Sequence, residues 1–336
     1  PRYGTSRGLK QWLEKNSGTF DIIHLHGVWL FSNFAAAQAC WRDAKPYVIT
    51  PHGILDTYSI QQRSGLIKRL YWLLRERRVA ARSAGIHCLN NAEVRRAVPW
   101  IAHMPKFILP NGIQTAQLSR MPPRGEYRQT LGEMATKPLV LFLSRVHPKK
   151  GLDRLIPAWV TVARQMPDVR LLIAGTGDAA YLDVLNNLVN ANQLQEHVKF
   201  VGQLIGHEKW AALTDADLFV LPSHQEGFSV AVTEALAAGC VPVVTQESNY
   251  DELQNVPPSG IIVQNGDMQA FTAEVMKLLT DPARRAAMAA AGKTMVEERY
   301  TWEKIAADLE QVYSFILSGK KLRADGTAVW RLASCR

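Results

Sequence analysis

Short apolar runs alternate with amphipathic helical patterns along almost the whole chain, and few folds accept that alternation. Likeness to strand shows at Phe20–His26, Pro46–Thr50, Gly85–Leu89 and Lys106–Leu109, with helical patterns at about 31–42 and 65–83. Runs of four to eight apolar residues separated by helices read as parallel βαβ units, because parallel strands need a crossover and are buried on both faces.

Pro110-Asn111-Gly112 interrupts the series with residues that each disfavour continuing a regular element. Residues 113–137 are polar and irregular, with Pro122-Pro123 inside, and read as a linker or mobile loop. A second series follows: strand Pro138–Ser144, helix 151–165, strand Val169–Ala174, helix 179–193, strand His197–Val201, helix 206–215, strand Leu218–Leu221, helix 228–238 and strand Val241–Thr245. Helical patterns at about 267–280, 283–298 and 302–318 close it, and 319–336 reads as a frayed polar tail. With 336 residues the chain is long enough for two domains. The expected layout is domain 1–112, linker 113–137, domain 138–318 and tail 319–336. Both domains are expected as α/β, doubly wound and Rossmann-like, facing across a cleft, since such sheets bind ligands beyond the carboxyl ends of their strands.

Composition narrows the classes. No apolar run approaches the roughly 20 residues of a membrane-spanning helix. Four cysteines, at 40, 88, 240 and 335, are too scattered for a disulfide framework or a zinc site, which favours reduced thiols and a cytoplasmic setting. The net charge of +9 is concentrated: residues 1–112 hold 16 Lys/Arg against 6 Asp/Glu, the remainder 23 against 24. The field therefore belongs to the first third.

Three loops carry chemistry. Pro222-Ser-His-Gln-Glu226-Gly227-Phe228-Ser229-Val230 leads from a strand into a helix expected to start near Phe228, whose first amides suit an anionic or hydroxyl-rich ligand. Glu234 follows Glu226 by eight residues, a reach of roughly 12 Å along a helix, enough to hold hydroxyls on two parts of one ligand. Solvated surface carboxylates are the plain alternative, but Glu234 interrupts an apolar helix. Arg145 and Lys150 lie in the turn after the second series' first strand and provide fixed cations for a departing diphosphate; a solvated basic turn is the competing reading. Gly175-Thr-Gly177 lets backbone approach a ligand closely, although Ala180 occupies the third glycine place of a dinucleotide fingerprint.

In this order the motifs resemble glycosyltransferase family 4, retaining enzymes of the two-domain GT-B fold. Arg145 with Lys150-Gly151, Gly175-x-Gly177, Phe200-x-Gly202, the pair Glu226–Glu234 and Pro110-Asn111-Gly112-Ile113 carry the likeness, over about residues 20–318. The resemblance implies that Arg145 and Lys150 hold the donor diphosphate, Glu234 the ribose hydroxyls, and Glu226 with the amides of Gly227, Phe228 and Ser229 the transferred sugar. Val230 and Asn111 join that donor set, and Leu204 falls where family members contact the base. His52, in Thr50-Pro51-His52-Gly53, is similar to the family's active-site histidine, with Gly53 beside the donor; His24 and His26 read as structural or rim residues. The implied reaction is front-face displacement from a nucleotide-sugar to a glycan or lipid-linked hydroxyl, serving polysaccharide, lipopolysaccharide or glycolipid synthesis, with no cofactor and no divalent metal. Only about 110 residues precede Asn111, and no glycine-rich strand–turn–helix of the family's kind opens the chain, so the first domain is expected to be incomplete and turnover weaker than donor binding. A nucleotide-sugar-binding module without catalysis, and a GT-B epimerase or phosphorylase, are the alternatives.

The segment 66–82 places Leu66, Leu70, Leu73 and Leu74 on one helical face and Lys68, Arg69, Arg75, Arg77, Arg78 and Arg82 around the others. A peripheral helix on the cytoplasmic face of an anionic membrane and a core-packed helix with a solvated basic side both fit. No nucleic-acid recognition motif is present.

Overall fold

The computed structural model describes residues 5–56 and 65–324. They divide into two compact units, Pro1–Asn111 with Lys304–Arg336, and Gly112–Glu303.

In the first unit, β1 (Ile23–His26), β2 (Tyr47–Thr50), β3 (Gly85–Cys88) and β4 (Lys106–Ile108) form a parallel sheet in that order. Helices Arg7–Asn16, Phe31–Arg42 and Asn91–Ile101 and the segment 65–81 accompany it. Strand β1 starts at Ile23 because Ser17–Thr19 closes a 3-10 turn before it. Helix Asn91–Ile101 escapes the sequence reading, although Asn90 caps it by accepting from the Glu93 amide at 2.7 Å.

In the second unit, β5 (Leu139–Leu143), β6 (Arg170–Ala174), β7 (Val198–Gly202), β8 (Leu218–Leu221), β9 (Val241–Thr245) and β10 (Ile261–Val263) are all parallel. Their order is β10-β9-β8-β5-β6-β7, so the winding reverses between β5 and β8. That reversal parts the loops following the two strands and opens a crevice at their carboxyl ends. The continuous apolar runs of β5 and β8 are buried but for the half-buried Leu143 at the end of β5, as parallel strands covered on both faces must be. Pro242 sits in an interior strand without cost to the outer ladder, since pairing with β10 begins only at Val243.

Three expectations about layout change. The stretch 113–137 is no loose linker: Tyr127 and Leu131 are buried in the second unit's core. Arg128 donates to Asp217, the Arg128 amide to Asp215 at 2.9 Å, and the Gly125 amide also to Asp215. Second, most of helix Trp302–Leu317 groups with the first unit rather than the second. Val312 and Ile316 share a buried cluster with Val48, Phe107 and Leu109. Third, the start of the tail is ordered, with Leu322 in that same cluster and the Lys106 amide donating to Arg323 O at 3.1 Å. Residues 325–336 of the tail, including Cys335, lie outside the described residues; Cys40, Cys88 and Cys240 are buried free thiols.

Candidate functional site

The second unit gathers most of the expected residues at the carboxyl ends of β5, β6 and β8. The loop after β5 turns through a short 3-10 segment, Pro148–Lys150, capped by His147, and enters helix Leu152–Gln165 at Gly151 with φ 73°. A Cβ on Gly151 would stand 2.0 Å from the Pro222 carbonyl oxygen, so the loops after β5 and β8 touch backbone to backbone there. Across this contact His224 N donates to Lys149 O at 2.8 Å, and Lys149 Nζ to Gln225 Oε1 at 2.9 Å.

Lys150 and Glu226 meet directly. Lys150 Nζ donates to Glu226 Oε1 at 2.6 Å, and Ser223 Oγ donates to the same oxygen at 2.5 Å. Behind Glu226 its amide donates to Glu247 O at 2.9 Å, while Asn249 Nδ2 donates to its carbonyl at 2.5 Å. Arg145 is exposed and forms no ion pair with any described residue, which leaves its guanidinium available for an anion.

Gly175 and Gly177 lie against the backbone of the loop after β5. A Cβ at Gly175 would lie 1.8 Å from Ser144 O, and one at Gly177 2.0 Å from Val146 O. Ser144 N donates to Ala174 O and Val146 N to Thr176 O, so the two glycines let the loop after β6 brace the Arg145 loop. The sequence suggests glycine for closeness, and the close partner is backbone.

The helix after Glu226 starts at Val230, not Phe228, with Ser229 as its N-cap residue. The Phe228 ring lies 5.5 Å from Tyr250 and 6.2 Å from Tyr300, and this apolar anchorage keeps it out of the helix. The uncommitted first amides therefore shift toward Val230 and Ala231. Glu234 accepts from Lys209 Nζ at 2.6 Å, and Lys209 stands over the Trp210 ring. Leu204 is buried just before Lys209's helix, Gly206–Asp215. Glu226 and Glu234 thus each hold a different lysine, and the two pairs are separate. Lys209 and Ser223 are missed by sequence reasoning. Asn249 is missed as well; it adopts φ 58°, a left-handed conformation that asparagine tolerates well.

In the first unit, His52 adopts φ 56° and Gly53 φ 72° in the turn after β2. Two left-handed residues in succession need support, and Glu93 supplies it: its carboxylate accepts from the Gly53 amide at 2.5 Å and from the Leu89 amide at 2.6 Å. His52 Nε2 lies 2.9 Å from His26 Nδ1, with the rings stacked. Burial and the neighbouring His26 lower the His52 pKa below the ordinary histidine value. His24 is not a rim residue: its ring bonds Thr50 Oγ1 at 2.6 Å and Tyr313 OH at 2.5 Å. Asn111 ends the unit, half-buried.

These arrangements fall within known families. Residues 123–295 match the model described as "Glycosyl transferases group 1", and residues 2–112 match "Glycosyl transferase 4-like domain". The chain belongs to the group 1 glycosyl transferases, and its two parallel α/β sheets are those of the GT-B fold.

Among relatives, it is 33% identical over 213 residues to the Corynebacterium glutamicum protein named GDP-mannose-dependent monoacylated alpha-(1-6)-phosphatidylinositol monomannoside mannosyltransferase. That match takes in 61% of this chain and 55% of the relative, so the chain spans about half the length of that curated relative. A phosphatidyl-myo-inositol mannosyltransferase of Mycolicibacterium smegmatis is 27% identical over 97% of this chain and 80% of its own. Among solved structures, Anabaena HepE in complex with UDP and glucose superposes with a TM-score of 0.76 at 20% identity, over 91% of this chain and 81% of that one.

Proposed function

We propose that this chain transfers a sugar, with retention, from a nucleoside-diphosphate donor to an acceptor hydroxyl, and that the donor is GDP-mannose. The observation that supports it most is the Lys150–Glu226–Ser223 cluster at the point where the second sheet reverses, beside the unpaired Arg145. The names of the relatives supply the base and the sugar.

In this reading Arg145 and Lys150 neutralise the diphosphate, so no divalent metal takes part. Glu226 and the amides at 227–230 hold the sugar, and Glu234 the ribose hydroxyls near Leu204. The bond between the sugar's anomeric carbon and the phosphate oxygen breaks first. The acceptor oxygen then bonds that carbon on the same face, and its proton passes to the departing phosphate. Cations fixed where charge develops stabilise the transition state more than the ground state. His52 serves the anomeric side of the sugar. No helix of the described residues is long and apolar enough to cross a membrane. The acceptor is read as lipid-linked, met at the membrane surface through the basic first unit.

Isothermal titration with GDP, UDP and ADP in chelator, repeated on Glu234→Ala, tests the donor site. Selective GDP binding, weakened about tenfold in the variant, is expected for the loss of one charged hydrogen bond. Equal binding of all three nucleotides, or none by folded protein, would overturn the assignment. GDP binding without mannose transfer to a mannosyl-phosphatidylinositol acceptor would leave a binding module.

A further inference from the structure

Between β8 and the helix that starts at Val230, residues 222–229 run without regular structure, yet they carry Ser223 and Glu226. Such a segment has no hydrogen-bond ladder of its own, so its polar groups need partners from elsewhere. The loop after β9 supplies them in order. Thr245 Oγ1 donates to Ser223 O at 2.6 Å, Glu247 O accepts from the Glu226 amide at 2.9 Å, and Asn249 Nδ2 donates to Glu226 O at 2.5 Å. Next along, the buried Tyr250 ring meets Phe228, and its hydroxyl bonds Thr233 Oγ1 at 2.9 Å. Residues 245–250 are therefore a mould for 223–228.

Asn249 is the informative member. It has φ 58°, where glycine carries no strain. Its Oδ1 is buried without a hydrogen-bond partner, and an unpaired buried acceptor costs free energy. Glycine at this position would avoid both costs. What the asparagine adds is one donor group, and among the described residues its bond is to Glu226 O. A carbonyl oxygen only accepts, so the side-chain amide must turn its nitrogen toward it. With Glu247 O on its amide and Asn249 on its carbonyl, Glu226 has both backbone polar groups tied to one loop. Its side chain then leaves the backbone in one direction, toward Lys150 Nζ and Ser223 Oγ.

We infer that Asn249 is a positioning residue for the sugar of the donor: by holding the Glu226 carbonyl it aims the Glu226 carboxylate, and it touches no part of the nucleotide. The inference rests on the reading that Glu226 holds the transferred sugar. A carboxylate selects a hydroxyl only when it is kept within roughly 0.5 Å of its place by the groups behind it. Glu234 stands outside this clamp, paired with Lys209, so the ribose end of the site does not depend on Asn249.

Isothermal titration in chelator with GDP and GDP-mannose, and in parallel with UDP and UDP-glucose, tests it. The proteins are wild type, Asn249→Gly, Asn249→Asp, Glu226→Gln and the variant combining Glu226→Gln with Asn249→Gly. The quantity read is the Kd for the nucleotide-sugar divided by the Kd for its bare nucleotide. Asn249→Gly should raise that ratio about fivefold to tenfold, with the bare-nucleotide Kd unchanged within about twofold, and should melt as wild type does. Asn249→Asp keeps the shape and tolerates the same φ but sets an acceptor against Glu226 O, and should lose at least as much. In the Glu226→Gln background Asn249→Gly should add nothing, because it acts through that carboxylate. An unchanged ratio in both Asn249 variants, additive losses in the combined variant, or an equal loss for the bare nucleotide would overturn the role of Asn249 and leave the Glu226 reading standing. An unchanged ratio in Glu226→Gln would overturn the Glu226 reading, and this inference with it.

Discussion

Lys150 Nζ lies 2.6 Å from Glu226 Oε1, and the two side chains are only 13% and 9% exposed. Neither charge can lose its partner cheaply, because a charge held from water needs a counter-charge or hydrogen bonds. A diphosphate arriving at Lys150 would share the ammonium with Glu226 and leave that carboxylate freer to accept a sugar hydroxyl. Lys150→Ala and Glu226→Gln should each lower kcat by about 10² to 10³, the range seen when one fixed stabilising group is removed. Melting should show a cost of about 1–3 kcal/mol for the unpaired group. Wild-type turnover in either variant would remove the pair from the reaction.

The glycines of the second unit separate crowding from conformation. Gly175 has φ 149° and its Cβ position is filled by Ser144 O, while Gly202 has φ 78° with nothing near. Gly202→Ala should cost about 1–2 kcal/mol, the penalty of a left-handed residue with a side chain. Gly175→Ala must also displace the Arg145 loop, so a loss above about 3 kcal/mol and weaker donor binding are expected. Chemical denaturation with nucleotide titration of both variants decides; equal losses would mean that the loops do not depend on the contact.

Much of this was legible because it is local. Unbroken apolar strands such as Leu139–Leu143 and Leu218–Leu221 announce themselves, and Glu226, Lys150 and Arg145 stand in loops whose place follows from strand order. What stayed hidden is non-local. Nothing near Gly175 says that Ser144 will occupy its Cβ position, and nothing near Glu234 names Lys209, which pairs with it from another helix. Helix Trp302–Leu317 follows the second series directly, yet Val312 and Ile316 find their cavity beside Val48 and Phe107. The leucine stripe at 66–74 misleads for a related reason: Leu66, Leu70, Leu73 and Leu74 stay exposed while Trp72 and Val79 are buried, so periodicity reports that a face exists and packing decides which face is covered.

His26 sets the environment of His52. Burial is the main cause of the lowered His52 pKa and His26 adds to it: with rings stacked and the nitrogens 2.9 Å apart, a proton on both is disfavoured. If His52 acts as a neutral imidazole, the acidic limb of kcat/KM should fall below pH 6.5. His26→Phe removes the neighbouring charge, so the limb should move upward while KM for the donor changes little. A pH–rate profile that does not move would assign His26 to structure alone.

The deeper histidines carry a stability consequence with a definite sign. His87 Nε2 faces Leu109 O at 2.8 Å, an acceptor only, so Nε2 holds the proton and Nδ1 accepts from Thr50 Oγ1. Thr50 Oγ1 then accepts from His24 Nε2, and His24 Nδ1 accepts from the Tyr313 hydroxyl. Every donor in this relay is used once with both rings neutral, and one added proton would make the neighbouring hydroxyl accept instead of donate, leaving its O–H without an acceptor in the relay. Burial accordingly lowers His24 to about 3 and His87 to about 4, with the neighbouring histidines adding to it. Their folded pKa values lie below the unfolded value near 6.5, so the unfolded chain takes up protons first as pH falls. Stability is therefore complete above about pH 6.5 and declines from there toward pH 4 and below, by up to roughly 1.4 kcal/mol per pH unit for each histidine. Denaturant unfolding of the first unit, followed by the fluorescence of its tryptophans between pH 7.5 and 4.5 (both roughly chosen to bracket the unfolded value), should show this slope. His24→Asn should flatten it whatever it costs at neutral pH. A wild-type stability flat across the window would show that the four-residue relay does not hold these rings neutral.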